Sequence, residues 1–360
     1  MKTFNAIKQY ISEFYSPCEY VNLDYQIAEF AANQELRGRR VLDATPVFRN
    51  TLVKYLPLLQ AGLDLTVGYG NGIPYDSKIV DFLKSIGVAI QKNGEKKSVE
   101  SFDFILDCAG ANSNISANVG YVELTRSGYY KYCDSESKVF LADDSLIKLL
   151  ETALGTGDGF FRGLMHFGYT DLTAKKVVVF GFGKVGQGVA YYAQKSGANV
   201  IIVDNLEKVS VPDSMQKLDL NDFEKIDNIL ESADIVVSVT GIAGALEKTI
   251  DVPKLVRSNA VIVNMGIHNE FGECMPNDRV LNNNEPLNFV LEEPTHLKYI
   301  APTMALSNYG MLELLRHGSD NVNLIAPNEE RNREILAVLR SKGCLAAELE
   351  FMEKYLKVEF

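Results

Sequence analysis

The 360-residue chain contains no tryptophan, only four histidines, and five cysteines that form no Cys-x-x-Cys pair. Cys18, Cys108, Cys133, Cys274 and Cys344 are odd in number and scattered. That excludes a disulfide framework of the secreted kind and leaves zinc without a ligand pattern, so no metal is expected. No basic run occurs, and 36 basic against 47 acidic side chains leave a net charge of -11. This balance argues against nucleic acid or an anionic membrane as the main partner. Met1-Lys2-Thr3-Phe4-Asn5 opens a charged amphipathic segment without an apolar signal core, and no apolar run reaches membrane length. The expectation is a soluble protein of the reducing cytoplasm.

Apolar residues make up 46% of the chain, enough to fill more than one core, and the length suggests two domains. Residues 41–44 read as a strand, 49–60 as a helix and 63–67 as a strand running into Gly68-Tyr69-Gly70-Asn71-Gly72. A helix over 76–85 and strands over 88–90 and 104–107 continue the pattern. Together they predict an open parallel sheet with a ligand crevice at its strand ends. Glycines at 155, 157 and 159 suit a bend between domains.

The second sheet opens with Val177-Val178-Val179-Phe180, followed by Gly181-Phe182-Gly183-Lys184-Val185-Gly186. This is a strand, a glycine turn and the start of a helix, the arrangement that seats a dinucleotide pyrophosphate. The first glycine permits the turn, the second lets a phosphate approach the backbone, and the third lets helix and strand lie close. Val185, Val189, Ala190 and Ala193 form an apolar stripe at helical spacing, and Asn199-Val200-Ile201-Ile202-Val203 makes the next strand. It ends in Asp204, whose carboxylate suits the adenosine ribose hydroxyls and repels a 2′-phosphate; NAD is therefore expected rather than NADP. The pattern continues with a helix over 221–232, strands over 234–240 and 260–264, and helices over 311–316 and 332–354.

These motifs, in this order, resemble the S-adenosylhomocysteine hydrolase family. Gly181 to Gly188 is similar to the family's Gly-Tyr-Gly-Asp-Val-Gly-Lys-Gly, and Ser238-Val239-Thr240-Gly241 to its Thr-Thr-Thr-Gly. Asn264-Met265-Gly266-Ile267-His268-Asn269-Glu270 is similar to Asn-Ile-Gly-His-Phe-Asp, with the histidine one place later. Glu123-Leu124-Thr125-Arg126-Ser127-Gly128 is similar to Glu-Glu-Thr-Thr-Thr-Gly, Asp144-Ser145-Leu146-Ile147-Lys148 to Asp-Ser-Val-Thr-Lys, and Leu154-Gly155-Thr156-Gly157-Asp158 to Tyr-Gly-Thr-Gly-Glu. Pro302-Thr303-Met304-Ala305-Leu306-Ser307-Asn308 is similar to Pro-Ser-Phe-Val-Met-Ser-Asn.

The resemblance implies an α/β protein with two Rossmann-like domains, doubly wound parallel sheets and an active-site cleft between them. A substrate domain would span 1–155, an NAD domain 156–304, and C-terminal helices over 305–360 would return to the first domain. It implies a bound NAD that oxidises a substrate hydroxyl, so that elimination and hydrolysis run with no net redox change. A homo-oligomer, dimer or tetramer, acting on a small molecule follows from the same likeness.

On this reading Thr125, Ser127, Thr240, Gly241, Asn264, Gly266 and Asn308 join Gly181, Phe182, Gly183, Lys184, Val185, Gly186 and Asp204 around the cofactor. Lys148 stands at the family's catalytic lysine, where a desolvated amine takes a hydroxyl proton; its ordinary alternative is a helix-surface lysine. Glu151 would stand in for a missing aspartate. His268 is either catalytic or a loop histidine, and Asp107 and Glu123 are either base, substrate anchor or helix caps.

Other positions depart from the family. Thr45, Cys108 and Leu124 replace its histidine, aspartate and second glutamate, and Ala301 replaces the histidine of Gly-His-Pro. The tail over 355–360 lacks the Lys-x-Asp-His-Tyr-Arg-Tyr motif that completes a neighbour's NAD site. These departures point to a substrate other than S-adenosylhomocysteine. They leave two further readings open: a simple NAD-dependent dehydrogenase, or a non-catalytic NAD-binding sensor or interaction protein.

Overall fold

Val177, Val179 and Ile202 pack into one apolar cluster while Val178, Phe180 and Val203 pack into another. An unbroken apolar strand of this kind is what a parallel sheet covered on both faces requires. The computed structural model describes residues 2–96, 101–213, 215–318 and 323–356; the tail residues 357–360 lie outside the described residues. Strands in chain order are β1 Arg40–Asp43, β2 Asp64–Tyr69, β3 Ala89–Lys92, β4 Phe102–Asp107, β5 Ala117–Glu123, β6 Val139–Leu141, β7 Lys176–Phe180, β8 Asn199–Asp204, β9 Gln216–Asp219, β10 Ile235–Ser238, β11 Val261–Asn264 and β12 Leu324–Ile325.

Two compact units result. One is Met1–Lys148 with Leu297–Phe360, and the other is Leu149–His296. The first carries the seven-stranded sheet β12-β6-β5-β4-β1-β2-β3, the second the five-stranded sheet β11-β10-β7-β8-β9. Every neighbouring pair is parallel. In both sheets the chain builds outward on one side of the first strand and then crosses to the other, the doubly wound plan the sequence predicted. Such a reversal opens a crevice at the strand ends. Among the described residues no helix is long and apolar enough to cross a membrane.

Several local expectations are corrected. Residues 155–159 form no bend: Leu150–Gly155 is a π-helix that runs straight into the helix Thr156–His166. The glycines serve close packing instead. A Cβ on Gly157 would strike the carbonyl of Gly188, one on Gly159 would lie 2.7 Å from the carbonyl of Pro294, and one on Gly163 would lie 2.7 Å from Leu287. The helix expected over 311–316 begins at Leu297 and carries Pro302 within it. The single helix expected over 332–354 is two, Glu329–Lys342 and Ala346–Leu356, divided at Gly343. Strands β5, β6, β9 and β12 had no clear alternation to reveal them; β5 contains Asn118 and Gly120, and β12 has two residues.

The candidate dinucleotide site and the strand-end acids

In the five-stranded unit, Gly181 adopts φ +106°, a conformation that disfavours side chains, and a Cβ there would run into the carbonyl of Val239. A Cβ on Gly186 would strike the carbonyl of Gly181, so helix and turn approach only because that side chain is absent. A Cβ on Gly183 would meet nothing within 4 Å. The middle glycine thus faces open space, while the outer two are fixed by the protein itself. Gly183 is the N-cap of the helix Lys184–Lys195, and no side chain caps that end. Its first-turn N–H groups and dipole suit a pyrophosphate.

Asp204 ends β8 beside this turn. Its Oδ2 accepts from the backbone N–H of Phe182 at 2.6 Å and its Oδ1 from that of Asn205 at 2.6 Å. These bonds fix the carboxylate next to the glycines and leave lone pairs for a ribose diol. Phe182 is buried under the turn, Val185 packs against the core, and Lys184 is exposed at the helix start. The residues present therefore fit a dinucleotide, with adenosine on the β8 side and nicotinamide on the β10 side.

The loops after β10 and β11 are tied together by a residue that sequence reasoning quoted but did not assign. Glu270 is fully buried, and its carboxylate accepts from the Ser238 hydroxyl, from Thr240 N at 2.6 Å, from Thr240 Oγ1 at 2.9 Å and from Gly241 N at 2.7 Å. Gly266 leaves the room it occupies. A glutamate six residues past a strand end, flanked by Phe271, was the available signal. Asn264 braces the same region: its Nδ2 donates to the carbonyls of His268 and Asn284, and its Oδ1 accepts from Gly266 N. His268 itself is exposed on this loop.

In the seven-stranded unit, Asp43, Asp107 and Glu123 end the adjacent strands β1, β4 and β5. All three are buried. Asp107 accepts from Asn112 N at 3.0 Å, Asn112 Nδ2 at 3.0 Å and the Tyr132 hydroxyl at 2.6 Å. Glu123 accepts from Ala109 N at 3.0 Å, Gly110 N at 3.0 Å, Thr125 N at 2.8 Å and Thr125 Oγ1 at 2.7 Å. Both acids thereby hold the loop after β4. Burial, reinforced by the Asp107 charge, pushes Glu123 up to about 7 against the pull of its donors, and burial also raises Asp107.

A buried ion pair joins Asp43 to Lys54, which also donates to Thr45 Oγ1 at 2.8 Å. Burial lowers the Lys54 ammonium, and Asp43 opposes that shift. A lone lysine within the apolar run Leu52-Val53-Lys54-Tyr55-Leu56 was the sequence signal for this pair.

Thr125 caps the helix Arg126–Tyr132, with Ser127 Oγ 3.1 Å from its hydroxyl, and so supports Glu123. Asn308 is fully buried, its amide donating to Gln26 Oε1 at 2.9 Å and to the carbonyl of Lys54 at 3.2 Å. These three belong to the seven-stranded unit, whereas the glycine turn, Asp204, Thr240, Gly241, Asn264 and Gly266 gather at the strand ends of the other. Lys148 is buried at 7% exposure in the short helix Leu146–Leu149. Glu151 follows within the π-helix, a form that often marks functional sites.

A doubly wound sheet with a glycine turn, a helix N-terminus and a strand-end aspartate defines an NAD-binding α/β protein. Residues 150–267 match the family model for the NAD-binding domain of D-isomer specific 2-hydroxyacid dehydrogenases. The chain is 24% identical over 290 residues to the adenosylhomocysteinase of Thermoplasma acidophilum, covering 72% of this chain and 70% of that protein. It is 26% identical over 281 residues to that of Thermotoga maritima, covering 69% and 68%. To the S-inosyl-L-homocysteine hydrolase of Methanopyrus kandleri it is 30% identical over 134 residues, 37% of this chain and 30% of that one. Among solved structures, dipicolinate synthase A chain from Bacillus subtilis aligns with a TM-score of 0.47 and 10% identity, over 78% of this chain and 98% of that one. The chain is thus similar to adenosylhomocysteinases over about 70% of its length, and its cofactor is NAD.

Proposed function

We propose that the chain is an NAD-dependent enzyme that oxidises a hydroxyl of a small molecule other than S-adenosylhomocysteine and completes a redox-neutral elimination or hydrolysis. Its partners on this reading are that substrate and further copies of the chain. Bound NAD would accept and return a hydride. The glycine turn holds the pyrophosphate, Asp204 the adenosine ribose, and the loops fixed by Glu270 border the nicotinamide half.

The observation that carries the reading is the burial of Lys148 at the position of the family's lysine. An amine at that position would take a hydroxyl proton as hydride leaves the same carbon. Glu151, one turn on, is the second polar group of that segment. Asp107 and Glu123 act by shaping the loop after β4, because their oxygens are already engaged.

One observation favours the simple dehydrogenase as a second reading. Thr45 is held by Lys54, and Cys108 and Leu124 are buried and carry no carboxylate, so these positions supply no base for a carbon acid. The two readings differ in cofactor accounting. Over many turnovers a redox-neutral enzyme leaves absorbance at the reduced nicotinamide band unchanged, whereas a dehydrogenase accumulates NADH. In either case Lys148→Ala should abolish turnover and leave NAD affinity within about twofold by calorimetry; unchanged turnover removes Lys148 from the chemistry.

A further inference from the structure

The seven-stranded unit carries an open depression of about 630 Å³, lined mostly by exposed residues. It opens at the carboxyl ends of β2, β3 and β4, and Asn71, Lys92, Asn93, Glu95, Asn114 and Lys131 line it. Its floor is rigid. Asn112, fully buried, donates through Nδ2 to Asn93 Oδ1 at 3.2 Å and to Asp107, and its Oδ1 accepts from Gly94 N at 2.8 Å. Asn93 Nδ2 in turn donates to the carbonyl of Gly70 at 3.0 Å. The loops after β2, β3 and β4 are therefore stapled into one surface.

Two glycines give the walls their place. A Cβ on Gly110 would lie 2.6 Å from Lys131 Cδ, and one on Gly94 would lie 2.9 Å from Asn71 Nδ2. The Lys131 stem and the Asn71 amide lie where those side chains would stand. Both glycines have φ in the left-handed region, +59° and +75°. Lys131 Nζ reaches only the carbonyl of Gly110 at 3.4 Å, and among the described residues no carboxylate forms an ion pair with Lys92 or Lys131. In a chain of net charge -11, the described lining residues set two ammonium groups against one carboxylate, Glu95.

We infer that this depression is a binding site for the anionic group, carboxylate or phosphate, of a polar small molecule. Lys92 and Lys131 supply the charge, and the Asn71 amide supplies directed hydrogen bonds together with the remaining N–H of Asn114, whose Nδ2 already donates to the Gly94 carbonyl at 2.9 Å. The lysine stems can follow the ligand while the stapled floor stays fixed. The site does not depend on the hydride chemistry proposed above.

The test titrates the NAD-loaded protein, with the pyrophosphate seat already filled, against inorganic phosphate and separately against malonate by calorimetry. Saturable binding of either probe is expected, weakened about tenfold in Lys131→Ala and further in the Lys92→Ala, Lys131→Ala double variant. Tighter phosphate points to a phosphorylated ligand, tighter malonate to a carboxylic acid. In parallel, the bound probe should slow acetylation of Lys92 and Lys131 relative to other surface lysines, as read by mass spectrometry. Failure of both probes to saturate, equal affinity in the double variant, or protection spread evenly over the lysines would overturn the assignment.

Discussion

Replacing Glu270 by alanine removes the acceptor for four donors, and the cost can be worked from which of them can turn elsewhere. The hydroxyls of Ser238 and Thr240 can rotate, but the N–H groups of Thr240 and Gly241 are fixed in the loop after β10. Orphaning a buried donor costs about 1–3 kcal/mol, so Glu270→Ala should lose about 2–6 kcal/mol. Glu270→Gln is the informative partner. Its carbonyl can keep the three donors now on Oε2, but its NH₂ must face the Gly241 N–H, which limits the loss to about 1–3 kcal/mol.

Urea unfolding of wild type and both variants should therefore rank wild type, Gln, Ala. Because Glu270 ties the loops on the nicotinamide side and not the glycine turn, both variants should weaken NAD several-fold while AMP affinity stays within about twofold. An alanine variant within about 1 kcal/mol of wild type, or parallel losses of NAD and AMP, would refute the reasoning.

Three other predictions follow from the same geometry. Gly183→Ala should melt like wild type yet bind NAD at least tenfold more weakly, because its methyl enters open space needed by the pyrophosphate; Gly186→Ala should lower the melting temperature, because its methyl strikes the Gly181 carbonyl. Asp204→Ser should weaken NAD and narrow its advantage over NADP, and a variant with unaltered preference would remove Asp204 from the ribose site. For Glu123, a native value of about 7 against 4.5 means the folded state holds the proton more tightly. Its stabilising contribution is then complete below about 4.5 and is lost as pH rises to about 7. At about 1.4 kcal/mol per unit the loss is about 3 kcal/mol. Urea melts at pH 5, 6 and 7 should show that decline in wild type and a flatter profile in Glu123→Gln; identical slopes would assign the decline to other groups.

The sequence by itself determined the dinucleotide turn, the strand that feeds it and the aspartate that follows, because each lies within one βαβ stretch where local spacing dictates geometry. It also determined the doubly wound plan, since apolar strands buried on both faces read directly from runs such as 177–180. Only the tertiary structure decided what depends on distant partners. Gly155, Gly157 and Gly159 looked like a bend and are helical, because what they approach lies elsewhere in the chain. The hydrogen bonds by which Asn264 and Asn308 also brace distant segments were not legible in the sequence, while Glu270 looked incidental and is the latch. Burial of Lys148, Lys54 and Glu123 was equally invisible: desolvation is set by neighbours that chain order does not name. The depression beside Lys92 and Lys131 joins three loops far apart in sequence, and only folding gives those charges a common surface.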